Sequence, residues 1–194
     1  MTAEAPIPDK PALRATLRVR RRTLAAACPD AGRRAAALLP MEALPAFKIV
    51  GGYHPIGAEL DPRPVLEALA AAGAVIALPV ATTAGAPLIF RAAGDPAACI
   101  PDALGIPAPP PTAVALVPDL ILAPVLAFDA QGRRLGQGGG HFDRTIGALR
   151  ARRPLFVIGL AFAGQEVDAL PAEPHDQPLD AILTEIGYRR FAKD

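Results

Sequence analysis

The chain has 194 residues, 52% hydrophobic and 20% charged, which suits one domain with its own core and excludes intrinsic disorder. Its formal net charge of +1 gives no basic excess of the kind nucleic-acid binding requires, so no nucleic-acid partner is expected. Serine, asparagine and tryptophan are absent, which excludes serine-nucleophile hydrolysis and N-glycosylation.

The first ten residues, MTAEAPIPDK, lack the apolar core of a leader, and no apolar run approaches membrane-spanning length. A cytoplasmic protein with no membrane partner is expected. A helix is predicted from Lys10 toward Ala27, capped by Asp9, with Leu13, Leu17 and Leu24 facing inward. Arg14, Arg18, Arg21 and Arg22 recur at helical spacing on another side, and for most of them a solvated face is the expectation. A second helix is predicted over 31–39. Cys28 and Cys99, far apart in sequence, read as small buried residues.

The period then changes. Residues 47–52 (FKIVGG) read as a buried strand, 62–72 as a helix with Pro62 at a permitted early position, and 75–78 and 88–91 as strands. Residues 96–111 are proline-rich and predict an irregular surface connection. Strands follow at 119–122 and 155–160, a helix at 142–150, and a last short strand at 181–184. This alternation predicts an α/β fold: one domain over 1–194, with a mostly parallel sheet flanked by helices on both faces.

Between Gly136 and Gly140 the sequence is GQGGG, leading into a helix. Glycines let the backbone approach a ligand closely, and the amides at the helix N-terminus then face an anion. Arg133 and Arg134 flank the loop and can add charge. It is not a Walker A loop, since no Gly-Lys-Ser/Thr follows, nor a dinucleotide fingerprint, since His141 stands where the last glycine belongs. On these residues alone, a turn capping a helix and an anion site are evenly balanced. Asp143, in the first helical turn, either stabilises the helix dipole or supplies a magnesium carboxylate beside a phosphate. Glu173, His175 and Asp176 are a loop, or else bring Asp176 as a second metal carboxylate. His54, His141 and His175 have poor spacing for zinc.

Residues 120–144, LILAPVLAFDAQGRRLGQGGGHFDR, resemble the signature of the 5-formyltetrahydrofolate cyclo-ligase (methenyltetrahydrofolate synthetase) family. Four further segments agree in order: Lys10-Pro-Ala-Leu-Arg14, Tyr53 to Glu59, Leu104-Gly-Ile-Pro, and Gln165 followed by His175-Asp176 and Leu183-Thr184-Glu185. The resemblance implies a single α/β domain and ATP- and magnesium-dependent closure of 5-formyltetrahydrofolate to 5,10-methenyltetrahydrofolate, through an N5 iminium phosphate. It implies ATP contacts from Lys10, Arg14, Arg134, Leu135, Gly136, Gln137, Gly138, Gly139, Gly140, His141 and Phe142. It implies folate contacts from Arg14, His54, Glu59, Gln137, Gly138, Gly139, Gly140 and His141, and magnesium ligation by Asp143 and Asp176. Gln137 and His141 occupy the catalytic positions. The partner is then a small molecule, and a monomer is expected rather than an oligomer.

Four positions depart from the family pattern. Gln137 stands where arginine is usual, His141 and Phe142 where two tyrosines are, and Ala108 where a glutamate is. Two alternatives follow: a relative that binds folate or nucleotide without turnover, or an ATP-dependent enzyme of the same fold with another acceptor. His54 lines a pocket or sits in a loop. Lys48 reads as a strand-edge lysine reaching water, and Asp129 as a turn residue holding residues 131–132.

Overall fold

A computed structural model describes residues 10–192. The cap expected from Asp9 lies outside the described residues. Helix α1 (Lys10–Ala27) leads into α2 (Ala31–Ala37), which is shorter than predicted. Strand β1 (Ile49–Gly51) is trimmed from the predicted run. At its start the Asp119 carboxylate takes the Lys48 and Ile49 N–H groups, both at 3.0 Å. Lys48 itself is exposed. Helix α3 (Arg63–Ala71) has Pro62 at its N-cap and Pro64 in its first turn, where a missing N–H costs no intrahelical bond. Then come β2 (Val75–Val80) and β3 (Ile89–Ala92).

The segment expected to be irregular contains a small antiparallel hairpin, β4 (Ile100–Pro101) with β5 (Pro107–Ala108). It is turned around Asp102, whose carboxylate accepts from Leu104 N, Ile106 N and, across on β2's end, Ala81 N, all within 3.1 Å. The chain continues through β6 (Ala115–Leu116), β7 (Leu120–Pro124), β8 (Ala127–Phe128) and β9 (Arg134–Leu135) to α4 (His141–Arg150). It ends with β10 (Phe156–Leu160), β11 (Ala181–Thr184) and β12 (Gly187–Arg190). Strand β11 was expected to be the last. Instead β12 pairs with it antiparallel, and its Arg189 lies over the Phe128 and Phe191 rings. So polar a strand has no apolar signature in sequence.

Eight strands form one sheet in the order β12-β11-β10-β7-β1-β2-β3-β6. The five central strands, β11 to β2, are parallel, and the margins at β12, β3 and β6 are antiparallel. Strands β7, β10 and β11 are buried on both faces, as their unbroken apolar runs require. Leu120 and Leu122 pack with α2 and α3, while Ile121 and Ala123 pack with Ile146 of α4, so helices cover both sides. A third cluster, Leu17, Leu126, Ala127, Leu135 and Leu170, seats α1 on the β8–β9 hairpin. Cys28 and Cys99 are free and half-buried, more open than expected. Among the described residues, no helix is long and apolar enough to cross a membrane.

The β8–β9 turn is organised by Asp129, which is fully buried. Its Oδ1 accepts from Gln131 N and Arg133 N at 3.0 Å, and its Oδ2 from Leu170 N at 3.1 Å. Asp129→Ala leaves these donors without a partner and is expected to lower unfolding free energy by about 2–3 kcal/mol. Chemical denaturation checks this: the midpoint falls while the slope is unchanged. A midpoint equal to wild type would show that water replaces the carboxylate.

Candidate active site

Numbered among themselves, the five parallel strands lie in the order second, first, third, fourth, fifth, so the strand order reverses between β1 and β7. In open parallel sheets a crevice opens beyond the carboxyl ends of the strands at such a reversal. Here a cleft of about 890 Å³ lies at that position. Tyr53, His54 and Glu59, after β1, and Pro124, Val125 and Leu126, at the end of β7, contribute to its wall. Further wall comes from α1, the glycine loop and the start of α4, residues 171–176, Pro79, Leu88 and the β4–β5 turn.

The glycine loop meets α4 at Gly140, which caps the helix with φ +64°, after Gly138 at φ +109°. Both are left-handed conformations that disfavour a side chain. Three arginines take the loop's carbonyls. Arg14 Nε donates to Gly136 O at 3.1 Å, Arg18 to Gln137 O at 3.1 Å, and Arg144 to Gly139 O. The first-turn N–H groups of α4, which a helix leaves without intrahelical acceptors, sit beside this loop. Arg18 Nε also donates to Gln137 Oε1 at 3.0 Å, so a guanidinium stands at this loop position although residue 137 is neutral. Gln137 Nε2 reaches Glu59 Oε1 at 3.4 Å.

Behind the loop Arg134 is buried, with its guanidinium 2.7 Å from Asp143 Oδ1. Burial pulls its pKa down, against the opposing pull of Asp143 and Asp176. Its Nε is buried with no partner among the described residues. Arg133, expected to join it at the loop, turns away to the Leu170 carbonyl at 3.3 Å and toward Asp129 at 3.8 Å. The β8–β9 hairpin sends adjacent side chains to opposite faces.

The acidic side of the cleft is held by the main chain. Asp143 Oδ1 accepts from Gln177 N at 3.1 Å, and Asp176 Oδ2 from Glu173 N at 2.8 Å. Lys10 Nζ lies 3.0 Å from Glu173 Oε1 and 3.4 Å from Asp176 Oδ2. One ligand atom each from Glu173, His175 and Asp176 lies within 4.8 Å of the others. These carboxylates already hold a side-chain cation, and Asp143 lines the same cleft; carboxylate oxygens are the donors that magnesium prefers.

Other groups are held in defined states. His141 Nδ1 lies 2.9 Å from Ala86 O; a carbonyl only accepts, so Nδ1 carries the proton. Tyr53 is buried and donates to Leu60 O at 2.5 Å, and burial pushes its phenol well above the ordinary range. His54 is exposed at the cleft wall, and Phe142 packs against both sheet-face cores. Ala108 is buried in the β4–β5 hairpin and is not a cleft residue.

The structure therefore brings to one cleft every residue that sequence reasoning singled out for ATP, folate or magnesium. Three kinds of residue escaped that reasoning. Arg18 and Arg21 were expected on a solvated face. Yet Lys10, Arg14, Leu17 and Arg21 follow one another at helical spacing, and that common stripe with the buried Leu17 was a usable signal. Glu173 was grouped with Asp176 but given no role of its own. The apolar wall residues Ile56, Leu104 and Ile106 lie within the matching segments at 53–59 and 104–107, the last two in the β4–β5 turn, but were given no role.

Comparisons with known proteins agree with this geometry. The model of the 5-formyltetrahydrofolate cyclo-ligase family matches residues 6–185. The 5-formyltetrahydrofolate cyclo-ligase of Mycolicibacterium smegmatis is 34% identical over 187 residues, covering 91% of this chain and 93% of that protein. The Escherichia coli K12 enzyme of the same name is 34% identical over 131 residues, 65% of this chain and 71% of its own. The solved structure of Aquifex aeolicus 5,10-methenyltetrahydrofolate synthetase superposes with a TM-score of 0.72 at 26% identity, covering 95% of this chain and 94% of that one. The chain belongs to the 5-formyltetrahydrofolate cyclo-ligase family and is an enzyme of that activity.

Proposed function

We propose that the cleft binds ATP beside 5-formyltetrahydrofolate and closes the folate ring, giving 5,10-methenyltetrahydrofolate, ADP and phosphate. The observation that carries this reading is the 3.4 Å contact from Gln137 Nε2 to Glu59 Oε1. It makes a loop suited to phosphate and a carboxylate suited to pterin N–H groups immediate neighbours. In this reading Lys10, Arg14 and residues 134–142 receive the nucleotide, while Glu59, with His54 and Arg14, orients the folate. Asp143 and Asp176 would hold magnesium, which supplies charge neutralisation at the phosphates.

The chemistry needs no protein nucleophile. The formyl oxygen of the folate attacks the γ-phosphorus and the bond to ADP breaks, leaving an iminium phosphate at N5. N10 then attacks the same carbon and releases its proton, and phosphate departs with the C–O bond electrons. The protein's part is alignment and the neutralising of developing phosphate charge. Gln137 and His141 act at the reacting end: Gln137 as an amide polarised by Arg18, His141 through Nε2, the ring atom not engaged by Ala86. The enzyme is read as a cytoplasmic monomer acting on small molecules.

Mixing the protein with ATP, magnesium and 5-formyltetrahydrofolate should produce the methenyl chromophore. Folded protein that forms none would refute the reading. Asp176→Ala is expected to shift the magnesium dependence of the rate to concentrations about tenfold higher or more; an unchanged magnesium titration would remove Asp176 from the metal site. Arg18→Ala frees the Gln137 segment of the loop. It should raise KM for ATP about fivefold with a smaller change in folate KM. Equal effects on both substrates would mean that Arg18 serves the fold and not the loop.

A further inference from the structure

Behind the cleft wall lies an arginine that the proposed function does not use, paired with Glu59. Arg21, on the fourth turn of α1, places Nη1 3.4 Å from Glu59 Oε1, with side-chain exposures of 6% and 4%. The other Glu59 oxygen accepts from Ile56 N at 2.9 Å. Arg21 does not line the cleft, whereas Glu59 does. Arg21 Nε is buried without a partner among the described residues.

Stability does not account for this pair. Two desolvated charges at 3.4 Å recover little beyond their dehydration, apolar residues of similar volume commonly serve a fold as well, and the unpaired Nε is a further penalty. What the pair does achieve is local. A carboxylate with so little exposure is given an adjacent guanidinium as its partner on the side away from the cleft. Its two oxygens are also assigned: Oε2 goes to the 56–59 turn, and Oε1 stands between Arg21 and Gln137.

We infer that Arg21 is a positioning residue for the substrate, holding the Glu59 carboxylate oriented toward the folate ring. This rests on the reading that Glu59 meets the folate, and it gives α1 two duties: Arg14 and Arg18 hold the nucleotide loop, and Arg21 holds the folate carboxylate. An arginine suits the place because its rigid fork spans from the helix to a fixed oxygen, which the flexible ammonium of lysine does less well.

Steady-state kinetics on the full chain test it, with ATP and 5-formyltetrahydrofolate varied separately. Arg21→Met should raise the folate KM about tenfold and leave the ATP KM within about twofold. Arg21→Lys should fall between Arg21→Met and wild type, and it carries the test if the methionine variant does not fold. Glu59→Gln should raise the folate KM at least as much, and the double variant Arg21→Met/Glu59→Gln should match Glu59→Gln alone, because Arg21 acts only through Glu59. Unchanged folate KM in both Arg21 variants beside a raised value in Glu59→Gln would overturn the role of Arg21 and leave Glu59 on the folate. A double variant worse by the product of the two effects would likewise overturn it. Unchanged folate KM in Glu59→Gln would remove both.

Discussion

The reversal of strand order between β1 and β7 is the constraint from which the rest follows. Right-handed crossovers that leave two neighbouring parallel strands in opposite directions along the sheet must cross on opposite faces. Helix α3, between β1 and β2, accordingly packs on the face of Leu120 and Leu122, and α4, between β7 and β10, on the face of Ile121 and Ala123. The connections diverge at the carboxyl ends of the two strands, and the gap between them is the cleft. Its lining is supplied by segments that have just left a buried strand, so mobile chain is attached to the most rigid part of the molecule.

Helix α1 closes that gap, and the chemistry of its inner stripe explains why it carries cations where a core helix carries leucine. Loop carbonyls turned toward a phosphate would repel it. Arg14, Arg18 and Arg144 engage three of them, at Gly136, Gln137 and Gly139. The N-terminal dipole of α4 then adds to this field. On the acidic side, Arg134 and Lys10 neutralise Asp143, Asp176 and Glu173, which keeps a cluster of carboxylates compatible with a folded chain. The departures from the family pattern lose weight in this setting. Arg18 stands at Gln137, and Ala108 packs away from the cleft.

Much was legible in one dimension. Unbroken apolar runs revealed β7, β10 and β11, because strands covered on both faces cannot alternate. Proline and glycine punctuation bounded α3, and the glycine run with Asp143 marked the head of α4. Strands of two residues, such as β8 and β9, carry too few positions for any period to register, and β12 is a charged edge held by stacking on aromatic rings.

The amino-acid sequence by itself determined the fold class, the family and the polar and glycine residues of the matching motifs that share the cleft, since each depends on local pattern or on motif order along the chain. Only the tertiary structure decided what each arginine does. Arg133 and Arg134 are adjacent and identical in type, yet one faces the Asp129 turn and the other is buried against Asp143. Arg21 and Arg22 are likewise neighbours, and only Arg21 meets Glu59, 38 positions away. A charged side chain is placed by the partner that offsets its desolvation, and that partner arrives from a distant segment only when the sheet has formed.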